Sequence, residues 1–210
     1  MIAVVDYGMG NLASVQKAFA FLGAKGIRVT ADPKEVARSK AVVFPGVGAF
    51  GEAMAELKSR RLIDPIRESI REGKPFLGLC LGLQLLFSDS DEAPGVRGLG
   101  VLPGRVRKFP AKKGLKVPHM GWNQIEKSGS RKGEGPLQGI PDGAFMYFVH
   151  SFYAEPEEAG LIAATTEYGR QFPCVISDGQ RLWATQFHPE KSQKWGLRIL
   201  KNFMVMVNKC

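Results

Sequence analysis

Gly78-Leu79-Cys80-Leu81-Gly82 is the most informative segment of this 210-residue chain. It follows the apolar run Pro75-Phe76-Leu77 and precedes a helical pattern that begins at Leu83. A G-x-C-x-G sequence between a buried strand and a helix predicts a sharp turn that lifts the cysteine above a sheet. The start of the helix supplies free N–H groups and the positive end of a dipole, which favour a thiolate. Cys80 is therefore a candidate nucleophile.

A purely structural Cys80 is the alternative interpretation. Free cysteine is among the most buried residue types and usually packs as a small apolar side chain. The five-residue motif is compatible with either role, because an elbow motif is only a hypothesis until its context agrees. The choice depends on whether the rest of the chain supplies a base.

A candidate base follows the strand-like run Leu182–Phe187, which is rich in Trp, Thr and Phe. His188 stands at its end and Pro189 follows, so the chain is expected to leave the sheet there. In α/β sheets, catalytic groups collect at the ends of strands. Glu190 would face the same side as His188 in extended chain and could orient the imidazole. Cys80, His188 and Glu190 thus predict a nucleophile, a general base and an orienting carboxylate.

The order of strand and helix signals predicts the fold class. Strand-like runs in the first half alternate with helical patterns, at Ile2–Val5, Ile27–Thr30, Ala41–Phe44 and Phe76–Leu79. The second half contains strand-like runs joined by Gly- and Pro-containing turns, at Val101–Phe109, Trp122–Ile125, Phe145–Val149, Leu161–Thr165, Val175–Ser177 and Leu182–Phe187. The alternation predicts a parallel sheet covered on both faces, and the later strands are predicted to be antiparallel. Ser192 is predicted to cap a final amphipathic helix.

We therefore expect an α/β protein, a single domain over residues 1–210 with a mixed, largely parallel sheet flanked by helices and antiparallel additions in the second half. The composition, 44% hydrophobic and 23% charged, is that of a globular domain. No run of 18 apolar residues and no signal-like N-terminus is present, so neither a membrane span nor secretion is expected. Three widely spaced cysteines, Cys80, Cys174 and Cys210, favour a reducing compartment. These features predict a cytoplasmic protein.

The basic charge does not by itself indicate a nucleic-acid partner. The net charge is +9, but the basic residues are spread out and no nucleic-acid-binding signature accompanies them. We interpret the local basic clusters as loops that could meet a phosphorylated or acidic partner, and a solvated basic surface is the alternative interpretation. The polar stretches 88–98 and 127–136 are predicted to be loops.

Pro45-Gly46-Val47-Gly48 would sit beside Cys80 at the carboxyl edge of a parallel sheet. A nucleotide-phosphate loop is one interpretation, but the segment matches neither G-x-G-x-x-G in full nor a Walker A sequence. The better interpretation is a loop whose flexible glycines present a backbone N–H group to an oxyanion.

The motifs at Pro45–Gly48, Gly78–Gln84 and His188–Glu190 resemble those of the class I (triad) glutamine amidotransferases. Three longer strings resemble one group within that class, the glutaminase subunits of imidazole glycerol phosphate synthases of histidine biosynthesis. These strings are Asp6–Leu12, Pro118–Asn123 and Tyr147–Phe152. The match runs in order from Asp6 to Glu190.

The resemblance implies hydrolysis of glutamine to glutamate and ammonia through a thioester on Cys80, without a cofactor or metal. His188 would protonate the leaving ammonia and then activate water, and Glu190 would orient His188. Backbone N–H groups of Val47 and Leu81 would hold the oxyanion. Glutamine would lie near Gly48, Gln84, Ser151 and Phe152.

The resemblance also implies a heterodimer with a cyclase subunit, a (β/α)₈ barrel. Ammonia released into neutral water would be protonated and lose its nucleophilicity, so direct transfer to a second site is reasonable. The candidate docking residues are Asn11, Met120, Trp122 and Lys191, for which ordinary surface packing is the alternative. His119 and His150 fall within matching strings, but the triad needs neither, and they are interpreted as structural or site-lining.

Two other functions remain as alternatives. The first is another triad amidotransferase, such as those of purine, anthranilate or pyridoxal phosphate synthesis, and the three longer strings argue against it. The second is a non-catalytic thiol sensor or binding module in which Cys80 is the redox-active group. That alternative leaves His188 and Glu190 without a role.

Overall fold

A computed structural model of the protein describes residues 1–112, 114–128 and 135–209. Cys210 and most of the predicted loop 127–136 lie outside the described residues. The strands are β1 (Ile2–Val5), β2 (Ile27–Thr30), β3 (Ala41–Gly46), β4 (Phe76–Cys80), β5 (Gly104–Lys108), β6 (His119–Lys127), β7 (Ala144–His150), β8 (Phe152–Pro156), β9 (Ile162–Glu167), β10 (Gln171–Ser177) and β11 (Leu182–Thr185). The helices are α1 (Leu12–Phe21), α2 (Pro33–Arg38), α3 (Phe50–Ser59), α4 (Ile63–Arg71), α5 (Leu81–Gln84) and α6 (Gln193–Asn208).

Nine strands form one mixed sheet in the order β2-β1-β3-β4-β11-β10-β9-β6-β7. The strands from β2 to β11 in this order are parallel to their neighbours, and those from β11 to β7 are paired antiparallel. β5 and β8 form a separate two-stranded antiparallel sheet. The predicted fold class is therefore confirmed.

The orientation of β11 corrects one part of that prediction. We expected Leu182–Phe187 to be antiparallel with the rest of the second half, but β11 pairs in parallel with β4 and antiparallel with β10. All four of its residues are buried. A strand covered on both faces is typical of the parallel part of a sheet. β11 thus inserts a late segment beside the strand that carries Cys80.

Helices cover both faces of the parallel half, which explains its continuous apolar strands. On one face, Phe19 of α1 and Phe203 of α6 pack together with ring centroids 6.3 Å apart, above Val43 of β3. On the other face, Phe50 of α3 packs in the same core as Phe44 of β3. No helix in the described ranges combines the length and apolarity needed to cross a bilayer.

Ser192 precedes α6 as predicted, but its side chain does not cap the helix. The hydroxyl donates to the carbonyl oxygen of His188 at 2.6 Å and accepts from the N–H of Tyr147 at 2.9 Å. The predicted capping bond is therefore wrong, because a nearer pair of backbone groups satisfies the hydroxyl. The Ser192 hydroxyl therefore connects β7 to the turn after His188 through two hydrogen bonds.

Candidate active site

Cys80 occupies a strained turn at the end of β4. Its φ is 53° and its ψ is −106°, in the region that favours glycine. Such a conformation costs about 1–3 kcal/mol and persists only when its surroundings enforce it. A Cβ atom on Gly82 would lie 1.9 Å from the carbonyl oxygen of Phe44, so β3 packs directly against the start of α5. The predicted elbow is present.

We expect Gly82→Ala to lower the free energy of unfolding by about 3 kcal/mol or more, because the new methyl group meets backbone and cannot rotate away. Denaturant unfolding measures this loss. Gly160→Ala is the matched control, since nothing lies within 4 Å of its Cβ position, and it should change stability by less than about 0.5 kcal/mol. Equal effects of the two substitutions would contradict the close approach at Gly82.

Parallel pairing of β4 and β11 brings the candidate base to Cys80. Leu79 lies opposite Thr185 in this ladder, so the two strands end at the same edge of the sheet. The next residue along, Gln186, donates from Nε2 to the Cys80 Sγ atom at 3.7 Å. The thiol itself is 3.8 Å from the carbonyl oxygen of Val149. His188 follows at this edge.

His188 and Glu190 form a buried pair, with Nδ1 and Oε1 2.9 Å apart. The contact arises from a 3₁₀ turn at Pro189–Lys191 and not from the extended chain that we expected. The strand ends earlier than predicted, at Thr185, and Pro189 is the first residue of the turn, which folds the carboxylate back onto the ring.

The pKa of His188 reflects both neighbours. Burial by itself lowers it, but hydrogen bonding and charge from Cys80 and Glu190 outweigh burial and raise the pKa to about 10. Nε2 nevertheless has no hydrogen bond of ordinary geometry to any described residue. Cys80 therefore acts on it from a longer or less well-aligned approach. The site can hold an imidazolium beside the sulfur at neutral pH.

A cavity of about 240 Å³ lies above Cys80. Six residues predicted to hold the oxyanion or the substrate line it: Val47, Gly48, Leu81, Gln84, Ser151 and Phe152. Gln84 Nε2 donates to the carbonyl oxygen of Phe152 at 3.0 Å. In the described part of the chain, no cluster of His, Cys, Asp or Glu side chains could hold a metal ion.

Glu92 also lines the cavity, although it was not among the site residues predicted from the sequence. Its Oε2 atom accepts the N–H of Phe50 at the start of α3, at 2.8 Å. Glu92 is the one charged residue among the described lining residues. We predicted stretch 88–98 only as a polar loop, and no spacing within it distinguishes the carboxylate that turns inward.

Two of the four candidate docking residues, Trp122 and Lys191, pack against one aromatic ring. Trp122 packs edge-on against Tyr147 with centroids 5.9 Å apart, and Lys191 Nζ lies 5.9 Å from the same ring. Met120 is 63% exposed and Trp122 45% exposed, two positions apart on β6. Asn11 caps α1 through its side chain, and α1 approaches the Pro189–Lys191 turn.

Comparisons with known proteins agree with the resemblance. The family described as "Glutamine amidotransferase class-I" matches residues 3–207. "Imidazole glycerol phosphate synthase subunit HisH" of Syntrophotalea carbinolica is 51% identical over 208 residues, covering 97% of this chain and 98% of the relative. The protein of the same name from Moorella thermoacetica is 52% identical over 206 residues, covering 98% and 95%.

Solved structures show the same fold at low identity. A structure described as "Crystal structure of glutamine amidotransferase" has a TM-score of 0.75 at 18% identity, covering 99% of this chain and 100% of the other. The Trypanosoma brucei CTPS glutaminase domain has a TM-score of 0.68 at 18% identity, with coverage of 99% and 93%. At this identity the likeness concerns the fold alone.

Proposed function

Because this chain belongs to the class-I glutamine amidotransferase family, we propose that it hydrolyses glutamine as the glutaminase subunit of an imidazole glycerol phosphate synthase in histidine biosynthesis. Relatives named as that subunit are about half identical to it over nearly the whole chain. The observation that carries the chemistry is the position of Cys80 at the elbow, beside a buried His188–Glu190 pair and below the cavity.

The reaction begins when the Cys80 sulfur attacks the side-chain amide carbon of glutamine. The carbonyl oxygen takes the negative charge, and the N–H groups of Val47 and Leu81 stabilise it. The imidazolium of His188 then gives its proton to the departing nitrogen, and the C–N bond breaks to leave a thioester and ammonia. Neutral His188 next takes a proton from water, which attacks the thioester and releases glutamate. Glu190 holds the ring throughout through Nδ1.

Glutamine binds with its side chain over Cys80 and its α-amino and α-carboxylate groups in the outer cavity. Glu92 is the charge in this lining that complements an α-ammonium group. Backbone around Ser151 and Phe152 and the Gln84 amide supply the remaining polar contacts. This assignment adds one residue to the set expected from the sequence.

Replacing Glu92 with glutamine should raise KM for glutamine about tenfold with little change in kcat. The amide keeps an acceptor for the N–H of Phe50 but loses the charge that pairs with the α-ammonium group. Steady-state kinetics measures the effect. Asp91→Asn is the control, because the neighbouring carboxylate bonds to the N–H of Lys108 outside the cavity. A normal KM in Glu92→Gln would remove Glu92 from the binding site.

A cyclase subunit is the proposed partner, with a heterodimer contact through Met120, Trp122, Lys191 and Asn11. Exposed methionine and tryptophan side chains, here Met120 and Trp122, are enriched at interaction surfaces. Lys191 directly follows Glu190, so a protein bound there touches the frame of the active site. The partner can therefore favour a competent site if it binds that state more tightly.

The rate of glutamate release should be low for the isolated chain, higher with the cyclase subunit and higher again with the phosphorylated ligand of the cyclase. The measurement is glutamate formed under these three conditions at one glutamine concentration. Equal rates in all three would leave the hydrolysis chemistry standing and exclude coupling through this surface. No hydrolysis in any of them would exclude the glutaminase itself.

A further inference from the structure

The two histidines outside the triad form a buried pair. His119 opens β6 and His150 ends β7, and they lie opposite each other in the antiparallel ladder. Nδ1 of His119 is 2.9 Å from Nε2 of His150. The ring of His119 stacks between Phe148 and Tyr168, with centroids 4.8 and 4.0 Å away. Neither histidine takes part in the proposed reaction.

The neighbouring groups determine which ring nitrogens carry protons. Nδ1 of His150 is 2.8 Å from the carbonyl oxygen of Phe152, which can only accept, so this nitrogen is the donor. Nε2 of neutral His150 then accepts from Nδ1–H of His119. Nε2 of His119 in turn accepts from the amide of Asn123, at 3.3 Å. That amide also donates to the carbonyl of Glu167, at 2.7 Å.

All four ring nitrogens have a partner when both rings are neutral, and a further proton on either ring would face another N–H group. Burial lowers the pKa of His119 to about 4. Burial is also the main cause that lowers the pKa of His150 to about 3, with smaller contributions from the charges of His119 and His188. The pair therefore stays neutral, and its hydrogen bonds keep one direction.

The chain of hydrogen bonds ends in the active site. The Phe152 carbonyl that accepts from His150 also accepts from Gln84 Nε2, at 3.0 Å. The same Gln84 nitrogen is 3.1 Å from Oε1 of Gln186, whose own Nε2 atom is the donor to the Cys80 sulfur. An unbroken series of contacts thus connects the start of β6 to the candidate nucleophile.

The Phe152 carbonyl lies where the chain changes sheets. β7 belongs to the nine-stranded sheet and β8 to the two-stranded sheet, and Ser151 between them belongs to neither strand. Backbone groups at such a junction need partners from outside the ladders. His150 supplies one by bonding two residues ahead. The junction also carries Ser151 and Phe152, which line the cavity.

We propose that the His119–His150 pair positions the glutamine-binding wall, by holding the Phe152 carbonyl and, through it, the Gln84 and Gln186 amides. The inference rests on the proposed glutaminase function and adds two positioning residues to it. His150 lines the cavity, as one of its two expected roles required, but the hydrogen bonds of the two histidines go to each other, to Asn123 and to Phe152. Loss of the pair therefore weakens glutamine binding while the chemistry of Cys80 remains possible.

Calorimetric binding of glutamine to an inactive Cys80→Ala protein tests the proposal without turnover. Adding His119→Phe keeps a ring in the aromatic stack but removes the donor to His150, and the Kd should rise about tenfold. Adding His119→Asn instead places an amide N–H near the position of Nδ1, and the Kd should stay within about threefold. Thr166→Val is the control, because it removes a partly buried hydrogen bond to the carbonyl of Gln124 on β6, and neither residue lines the cavity.

The outcomes separate this inference from the proposed function. Failure of the Cys80→Ala protein to bind glutamine would count against the glutaminase function. Normal binding with equal Kd values for His119→Phe and His119→Asn would overturn the positioning role alone. If the His119→Phe variant does not fold, the proposal is tested on the protein with both histidines intact. Long-range ¹H–¹⁵N spectra should show both histidines protonated only at Nδ1 from pH 8 to pH 5, and titration of either ring in that range would overturn the proposal.

Discussion

Cys80→Ala should abolish glutamine hydrolysis, with a loss of at least about 10⁴-fold, because no other group can form the thioester. The fold should be retained, because the alanine side chain is smaller than the cysteine side chain and fits the same space. Glutamate release with the cyclase subunit present is the measurement, because the basal rate is expected to be low. Retention of even a tenth of the rate would exclude the covalent mechanism.

Cys174→Ala is the matched control for this substitution. Cys174 is the other free cysteine in the described residues and is completely buried in the antiparallel half. Its pKa is raised by that burial, so it is a poor nucleophile at neutral pH. The variant should lose some stability and keep its turnover per folded molecule. Loss of hydrolysis in Cys174→Ala but not in Cys80→Ala would reverse the assignment.

His188→Ala should lose nearly as much turnover as Cys80→Ala, because proton transfer fails in both halves of the reaction. Glu190→Gln should lose at least tenfold less, since the carboxylate acts only by orienting and charging the ring. Glutamate release compared across the two variants gives the order. A larger loss in Glu190→Gln than in His188→Ala would reverse their roles.

The pKa of His188 provides a second readout for Glu190→Gln. Glu190 is one of the groups that raise this pKa, so the substitution should move it down toward its ordinary value of 6.5. A raised folded pKa contributes stability below about pH 6.5 that is lost as the pH rises toward 10. Glu190→Gln should therefore flatten the alkaline decline in stability. NMR titration and thermal unfolding between pH 6 and pH 10 measure the two effects.

The elbow shows how far local sequence pattern reaches. A short apolar run, two glycines and a following helical pattern restrict the backbone over a few residues, so the turn at Cys80 could be predicted without any distant contact. The alternating strands and helices of the first half could be predicted for the same reason. Glu190 was expected beside His188 from extended spacing, yet the contact depends on a turn. His188 and Glu190 are two residues apart, and either an extended chain or a tight turn can bring side chains at that spacing together.

Local patterns in the chain were enough to predict the family resemblance, the alternating strands and helices of the first half and the three candidate catalytic residues. Three features became visible only in the folded chain: β11 lies beside β4, Glu92 lines the cavity, and His119 and His150 share a hydrogen bond. Each of these features joins residues far apart in the chain. Its free energy depends on packing between distant segments, and a short stretch of sequence contains no information about that packing. A histidine in a strand has the same local pattern whether it faces water or another histidine, so its partner is visible only once the strands are paired.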